Sequence, residues 1–158
     1  MKIRKICFVC NGNNSRSIMA EYIARDLWKD SVEVCSCGIN ADNTAEVAQN
    51  TKAALEEIGI IIGDRKRQKI SEQFMGEEYY YFALDSTIME KLITDYSISP
   101  NRVRILDERI MDPRGCSMEV YRECRNVIEL SIKEIALEKL VTQELPAPKD
   151  YWDSVSET

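Results

Sequence analysis

The chain contains no histidine. That absence excludes Ser-His-Asp triads, Cys-His nucleophile pairs and every imidazole-ligated metal centre, so any nucleophile must be activated by another group. Glycine and proline are sparse, at 6 and 4 of 158 residues, which excludes collagen-like and low-complexity chains. No apolar run approaches the roughly 18 residues of a membrane span. No signal peptide opens the chain either: Met1-Lys2-Ile3-Arg4-Lys5 is charged, but the apolar stretch behind it soon stops. Positive charge is the minority sign, with 21 Lys plus Arg against 27 Asp plus Glu and a net charge of −6. Such a chain is a poor general binder of polyanions, so neither a nucleic acid nor a membrane is expected as a partner. The expected location is the cytoplasm.

What is present describes one ordinary globular domain, 44% apolar and 30% charged. Six cysteines without a secretion signal point to free thiols in a reducing compartment. A zinc site of Cys7, Cys10, Cys35 and Cys37 has the wrong ligand spacing, because the second pair is C-x-C in an apparent strand. A Cys7–Cys10 redox pair is disfavoured for a similar reason. If Ile6 to Val9 is a strand, Cys7 points from a sheet face and Cys10 lies beyond the strand end.

Apolar periodicity alternates along the chain. Arg4 to Val9 reads as a buried strand. Ala20, Ile23, Ala24, Leu27 and Trp28 mark an amphipathic helix from near Ser17. Val32 to Ser36 alternates as a second strand and meets Gly38. Val47, Thr51, Ala54, Leu55 and Ile58 predict a helix capped by Asn43 or Thr44 and stopped by Gly59. Tyr79 to Leu84 is an unbroken apolar and aromatic run, hence a central strand. Asp85 then caps a helix bearing Ile88, Leu92, Ile93 and Tyr96. Val103 to Leu106 makes a fourth strand, and Val120, Cys124, Val127, Ser131 and Ile135 trace one closing helix from about Ser117 to Leu140. The order predicts a single α/β domain over residues 1–141: a four-stranded parallel sheet with helices on both faces. Its site should lie at the carboxyl ends of the strands. Residues 142–158, with Pro146-Ala147-Pro148 and scattered acids, read as a loosely ordered tail.

The segment Cys10-Asn11-Gly12-Asn13-Asn14-Ser15-Arg16-Ser17 joins the first strand to the first helix. Its Gly- and Asn-rich composition suits a tight loop with left-handed residues. Such a loop turns backbone N–H groups inward, and the helix behind adds a positive dipole end, which together make an anion cradle. Arg16 supplies a fork that matches phosphate bidentately. A cysteine at the mouth of that cradle has its thiolate stabilised and needs no histidine. Ser17 can donate to the sulfur and help cap the helix. A cysteine behind a strand is most often a small buried residue. Here the strand, loop and helix are in register around it, and that singles out Cys10.

The run from Ile6 to Glu21 resembles the opening of the low-molecular-weight protein tyrosine phosphatases, whose N-terminus reads V-C-x-G-N-x-x-R-S-x-x-A-E. The likeness continues through Ser36-Cys37-Gly38, Asp112-Pro113 and Val120-Tyr121, and covers roughly residues 3–140. It implies a phosphate-binding loop after the first strand, a Cys10 nucleophile that forms a phosphocysteine, and Arg16 with the backbone N–H groups of Asn11, Gly12, Asn13, Asn14 and Ser15 on the phosphoryl oxygens. Asn13 would brace the loop, and Asp112 would be the general acid, with Asp107 in reserve. No metal or other cofactor is implied. The partner would be a phosphorylated protein or a small phosphomonoester.

The pattern departs from the family at three places. Ser15 stands where many members carry a second, protective cysteine. Arg114 and Gly115 follow Asp112-Pro113 where tyrosine-specific members place aromatic residues. Arg114 would repel a cationic substrate side chain and favour an acidic peptide. Asn14 replaces an apolar residue, and the related protein arginine phosphatases have a small polar threonine there. The expectation is a phosphotyrosine phosphatase, with a protein arginine phosphatase as the alternative. Arsenate reductases share the opening motif but need two further cysteines after the third strand, and no cysteine lies between Cys37 and Cys116. Phosphocarriers generally lack the loop arginine and the acid. Arg16 and Asp112 count against that reading, and with Cys10 against an inactive phospho-ligand-binding module.

Overall fold

The structure, a computed structural model, describes residues 2–143. Four strands, β1 (Lys5–Cys10), β2 (Glu33–Gly38), β3 (Tyr79–Ala83) and β4 (Val103–Ile105), form one sheet in the order β2-β1-β3-β4. Every pairing is parallel. Helices α1 (Arg16–Trp28), α2 (Gln49–Glu56), α3 (Ser86–Thr94), α4 (Met118–Lys133) and α5 (Leu137–Thr142) supply the crossovers and cover both faces.

The central strands are buried on both sides, so their side chains divide strictly by parity. Ile6, Phe8 and Cys10 of β1 join Tyr80 and Phe82 of β3 in a core shared with α1, α2, α4 and α5. Cys7 and Val9 join Tyr79, Tyr81 and Ala83 in a second core with Ile88 and Leu92 of α3. The chain leaves β1 towards β2 on one side and reaches β3 on the other. The carboxyl end of β1 is therefore the switch point where open α/β sheets hold their ligands.

Three sequence expectations need correction. Cys10 is the last residue of β1, paired with Gly38 of β2, and does not lie beyond the strand. Helix α2 begins at Gln49 and is capped by neither Asn43 nor Thr44. Asn43 instead accepts the Lys69 N–H at 2.7 Å, and the α2 start is held by Asn14 Oδ1, which accepts the Ala48 N–H at 2.7 Å. Gly59 does end the helical path: at φ +85° it lets the Ile60 N–H return to the Leu55 carbonyl at 3.0 Å. The closing helix is two helices, broken between Lys133 and Leu137. No glycine or proline marks that break. After the break Leu140 joins Ile128 and Ile132 in the same buried cluster. The expected tail lies, beyond Gln143, outside the described residues. Among those residues no helix is long and apolar enough to cross a membrane.

Candidate active site

Residues 10–17 wrap the amino end of α1 at the switch point. Asn13 takes φ +47°, the left-handed conformation that asparagine tolerates better than most residues. Its backbone N–H donates to Cys10 Sγ at 3.2 Å, and Ser17 Oγ lies 2.8 Å from the same sulfur. The Asn13 amide fixes that geometry from below. Its Nδ2 donates to Ser17 Oγ and to Ser36 Oγ, each at 2.9 Å, so the Ser17 proton is left to point at sulfur. Its Oδ1 accepts the Gln68 N–H at 2.8 Å.

The chain of contacts continues into the protein. Ser36 donates to Glu21 Oε1 at 2.6 Å, and Glu21 is fully buried. A buried carboxylate requires a partner. Arg65 supplies it, with Nη1 at 2.9 and 3.0 Å from the two oxygens, joined by Arg25 at 2.7 Å. Burial works against the Arg65 charge, and Glu21 more than compensates, so its pKa is raised. The segment after α2 thus holds the loop through both Gln68 and Arg65.

Above this brace the loop opens on a cavity of about 180 Å³, lined by Cys10, Asn11, Gly12, Asn14, Ser15, Arg16, Asn40, Asp42, Arg67, Asp112 and Arg114. Helix α1 starts without a side-chain cap, so its first-turn N–H groups face this space. Arg16 is buried, with Nη1 at 2.9 Å from Asp85 Oδ2 and Nη2 at 3.7 Å from Asp112 Oδ2. Burial opposes its charge, but Asp85, Cys10 and Asp112 outweigh that effect and raise its pKa. Asp112 is exposed and accepts the Arg114 N–H at 3.1 Å, a turn that directs the following residues along the rim.

Cys10, Arg16, Asp112, Asn11, Gly12, Asn14, Ser15 and Arg114 therefore share one cavity, whereas Asn13 and Ser17 lie beneath the loop and do not line it. Asp107 is elsewhere. It is tied to Arg109 at 2.6 Å and to Ser131 at 2.7 Å, and Arg109 holds its carboxyl below the usual range. Sequence reasoning missed several residues. Asp85 was legible as the α3 cap, which it is, through the Ile88 N–H at 2.9 Å, but nothing local signalled its second contact with Arg16. Arg65, Gln68, Arg67 and Asp42 come from segments whose sequence carries no motif.

The other buried thiols divide between the two cores. Cys7 and Cys37 lie 3.7 Å apart in the opposite core, and burial raises the Cys7 pKa. Cys124 is on the Cys10 side, and burial pushes it up to about 12. Among the described residues, no group of three or more Cys, Asp or Glu is arranged to hold a metal ion.

Fold and cavity define a single-domain α/β protein with a P-loop after its first strand. The sequence matches the profile described as low molecular weight phosphotyrosine protein phosphatase over residues 5–147. A protein-arginine-phosphatase of Geobacillus stearothermophilus is 30% identical over 147 residues, spanning 89% of this chain and 98% of that protein. A glutaredoxin arsenate reductase of Synechocystis is 28% identical over 136 residues, spanning 84% and 96%. Among solved structures, a low molecular weight protein tyrosine phosphatase from T. tengcongensis has a TM-score of 0.79 at 24% identity, covering 87% of this chain and 99% of that one. The chain belongs to the low molecular weight phosphotyrosine protein phosphatase family, a family of hydrolases that remove phosphate from proteins.

Proposed function

We propose that the protein hydrolyses phosphotyrosine-type monoesters on proteins through a phosphocysteine formed on Cys10. The observation that carries this is the convergence of Cys10, the buried Arg16 and Asp112 on one small polar cavity, with Asn13 and Ser17 holding the Cys10 sulfur from beneath the loop. The phosphate occupies the cradle with its oxygens on Arg16 and the loop N–H groups. Phosphate on Arg16 competes with Asp112 for that cation and frees the carboxyl to hold a proton. The Cys10 sulfur attacks phosphorus in line as the phosphorus–oxygen bond breaks, and Asp112 gives its proton to the leaving oxygen. Water then attacks the phosphocysteine and Asp112 takes the water's proton. The phosphorus–sulfur bond breaks, returning the Cys10 thiolate and inorganic phosphate.

An ester leaving group suits this mouth because Arg67 and Arg114 both stand at it. Phosphoarginine brings its own guanidinium to the same place. A second reading, protein arginine phosphatase, is favoured by a different observation: among the described residues no aromatic side chain lines the cavity, and the polar Asn14 does. The name of the Geobacillus stearothermophilus relative points the same way. For reductase chemistry of the kind named for the Synechocystis relative, Cys7 and Cys37 lie behind the sheet, and burial pushes the pKa of Cys124, the thiol on the Cys10 side, up to about 12.

Rapid-quench trapping with phosphotyrosine and phosphoarginine peptides tests the reading. Metal-free wild type should form a transient phosphoenzyme, stable in alkali and labile in acid as a thiophosphate is, and release phosphate, faster from phosphotyrosine. Cys10→Ser should release none. Asp112→Asn should lose on the order of 10²–10⁴-fold, most for poor leaving groups. Turnover in Cys10→Ser would end the mechanism, and a higher kcat/KM on phosphoarginine would select the second reading.

A further inference from the structure

Two arginines from widely separated segments, Arg67 and Arg114, line the cavity. Arg67 belongs to the segment that joins the end of β2, where Lys69 pairs with Gly38. Arg114 follows Asp112-Pro113 after β4. β2 and β4 are the two edges of the sheet, so the segment that pairs with one edge strand and the segment that follows the other each contribute one arginine to the cavity lining. Arg67 is anchored by Nε donating to the Glu46 carbonyl at 3.0 Å, and its terminal nitrogens make no hydrogen bond or ion pair with any described residue. Arg114 is fixed only through its backbone N–H, on Asp112 Oδ1, and its guanidinium is equally unengaged within the described chain.

The neighbouring cations are arranged otherwise. Arg65 is taken by Glu21, and Lys66 lies 3.4 Å from Glu46. Asp112 and Asp85 face Arg16. The remaining acid at the mouth is Asp42, whose carboxylate is held by the Thr44 hydroxyl and N–H and which feels Arg67 without bonding it. Among the described residues that line the cavity, Arg16, Arg67 and Arg114 supply three cations against the two carboxyls of Asp42 and Asp112. This is unusual for a chain of net charge −6.

We propose that the mouth is a docking site for acidic phosphopeptides, in which a carboxylate on one side of the phosphorylated residue meets Arg67 and a carboxylate on the other side meets Arg114. It rests on the cavity being the phosphate site. A peptide that presents its phosphorylated side chain to the P-loop and runs from the Arg67 segment to the Arg114 segment passes a different arginine with each flank. Each pair is solvent-exposed, and its effect is modest, about two- to fivefold per arginine and weaker at higher salt.

The test uses Cys10→Ser protein, which binds without turnover, and four labelled phosphotyrosine peptides: neutral flanks, Glu before, Glu after, and both. Fluorescence anisotropy should rank the doubly acidic peptide tightest. Arg67→Gln should remove the preference for one flank and Arg114→Gln the preference for the other. Equal affinity for all four peptides, loss of the same flank's preference in both variants, or no binding at all would overturn the proposal. Phosphate release from the neutral peptide by wild type is measured alongside. Release without flank preference leaves the hydrolase reading standing and removes this one, and preference without release does the reverse.

Discussion

Asn14 combines two tasks that its position in the motif shows as one. It lines the cavity, as its place between Asn13 and Ser15 leads one to expect, and its Oδ1 also anchors α2 through the Ala48 N–H. Thr51 reinforces the joint, donating to the Asn14 carbonyl at 2.8 Å. Helix capping by an acceptor from elsewhere in the chain carries the usual value of a cap, about 0.5–2 kcal/mol. Asn14→Ala should accordingly lower the melting temperature by a few degrees. Asn14→Asp keeps an acceptor at a helix N-terminus and should melt near wild type, yet its charge should raise KM for any phosphorylated substrate. Differential scanning calorimetry beside steady-state kinetics separates the two. Equal destabilisation by both substitutions would mean that the Ala48 bond contributes nothing.

The elements of the sheet and the loop constrain one another most tightly at Gly38. A Cβ there would lie 2.7 Å from the Asn11 carbonyl oxygen and the Asn13 nitrogen, and 2.9 Å from the Gly12 carbonyl carbon. All three are backbone atoms and cannot swing aside. Gly38→Ala should therefore push the P-loop outward, lengthen the Asn13 N–H to Cys10 Sγ contact and cost on the order of 10²-fold in kcat/KM. Kinetics on an aryl phosphate measures it, and a fully active variant would show that the close approach is not needed. The Ser-Cys-Gly turn was legible as part of the motif, but its reason was not, because steric contact between two loops has no sequence signal. The same distinction runs through the fold. Buried strands such as Tyr79–Ala83 declare themselves by unbroken apolar runs, and the Cys10-to-Arg16 spacing declares the loop. The α2 cap, the break after Lys133 and the Arg65–Glu21 brace all depend on partners tens of residues away. Arg65 and Glu21 are separated by 44 residues, and Asp85 and Arg16 by 69.

Across the whole molecule, α4 is tied to the rest of the chain at two places by carboxylates. Glu57, just past α2, pairs with Arg122 at 2.9 Å and Arg125 at 2.7 Å. Asp107, at the start of the segment that leads to Asp112, pairs with Arg109 and with Ser131 of α4. Arg122 and Arg125 lower the Glu57 pKa, and Arg109 lowers that of Asp107. A carboxyl whose folded pKa is depressed contributes stability above its unfolded pKa, near 4, and loses it as pH falls towards the folded value. The two ties should therefore be intact at pH 7 and weaken below about pH 4, loosening α4 and the acid-bearing segment together. Urea unfolding at pH 7, 4 and 3 should show wild type losing stability over that range. Glu57→Gln with Asp107→Asn should be less stable than wild type at pH 7, and the gap should narrow from pH 4 to pH 3 without closing, since Arg109 holds the folded Asp107 carboxyl well below that range. Parallel pH profiles for the two proteins would mean that other carboxylates govern the acid limb and that these two ties are incidental to it.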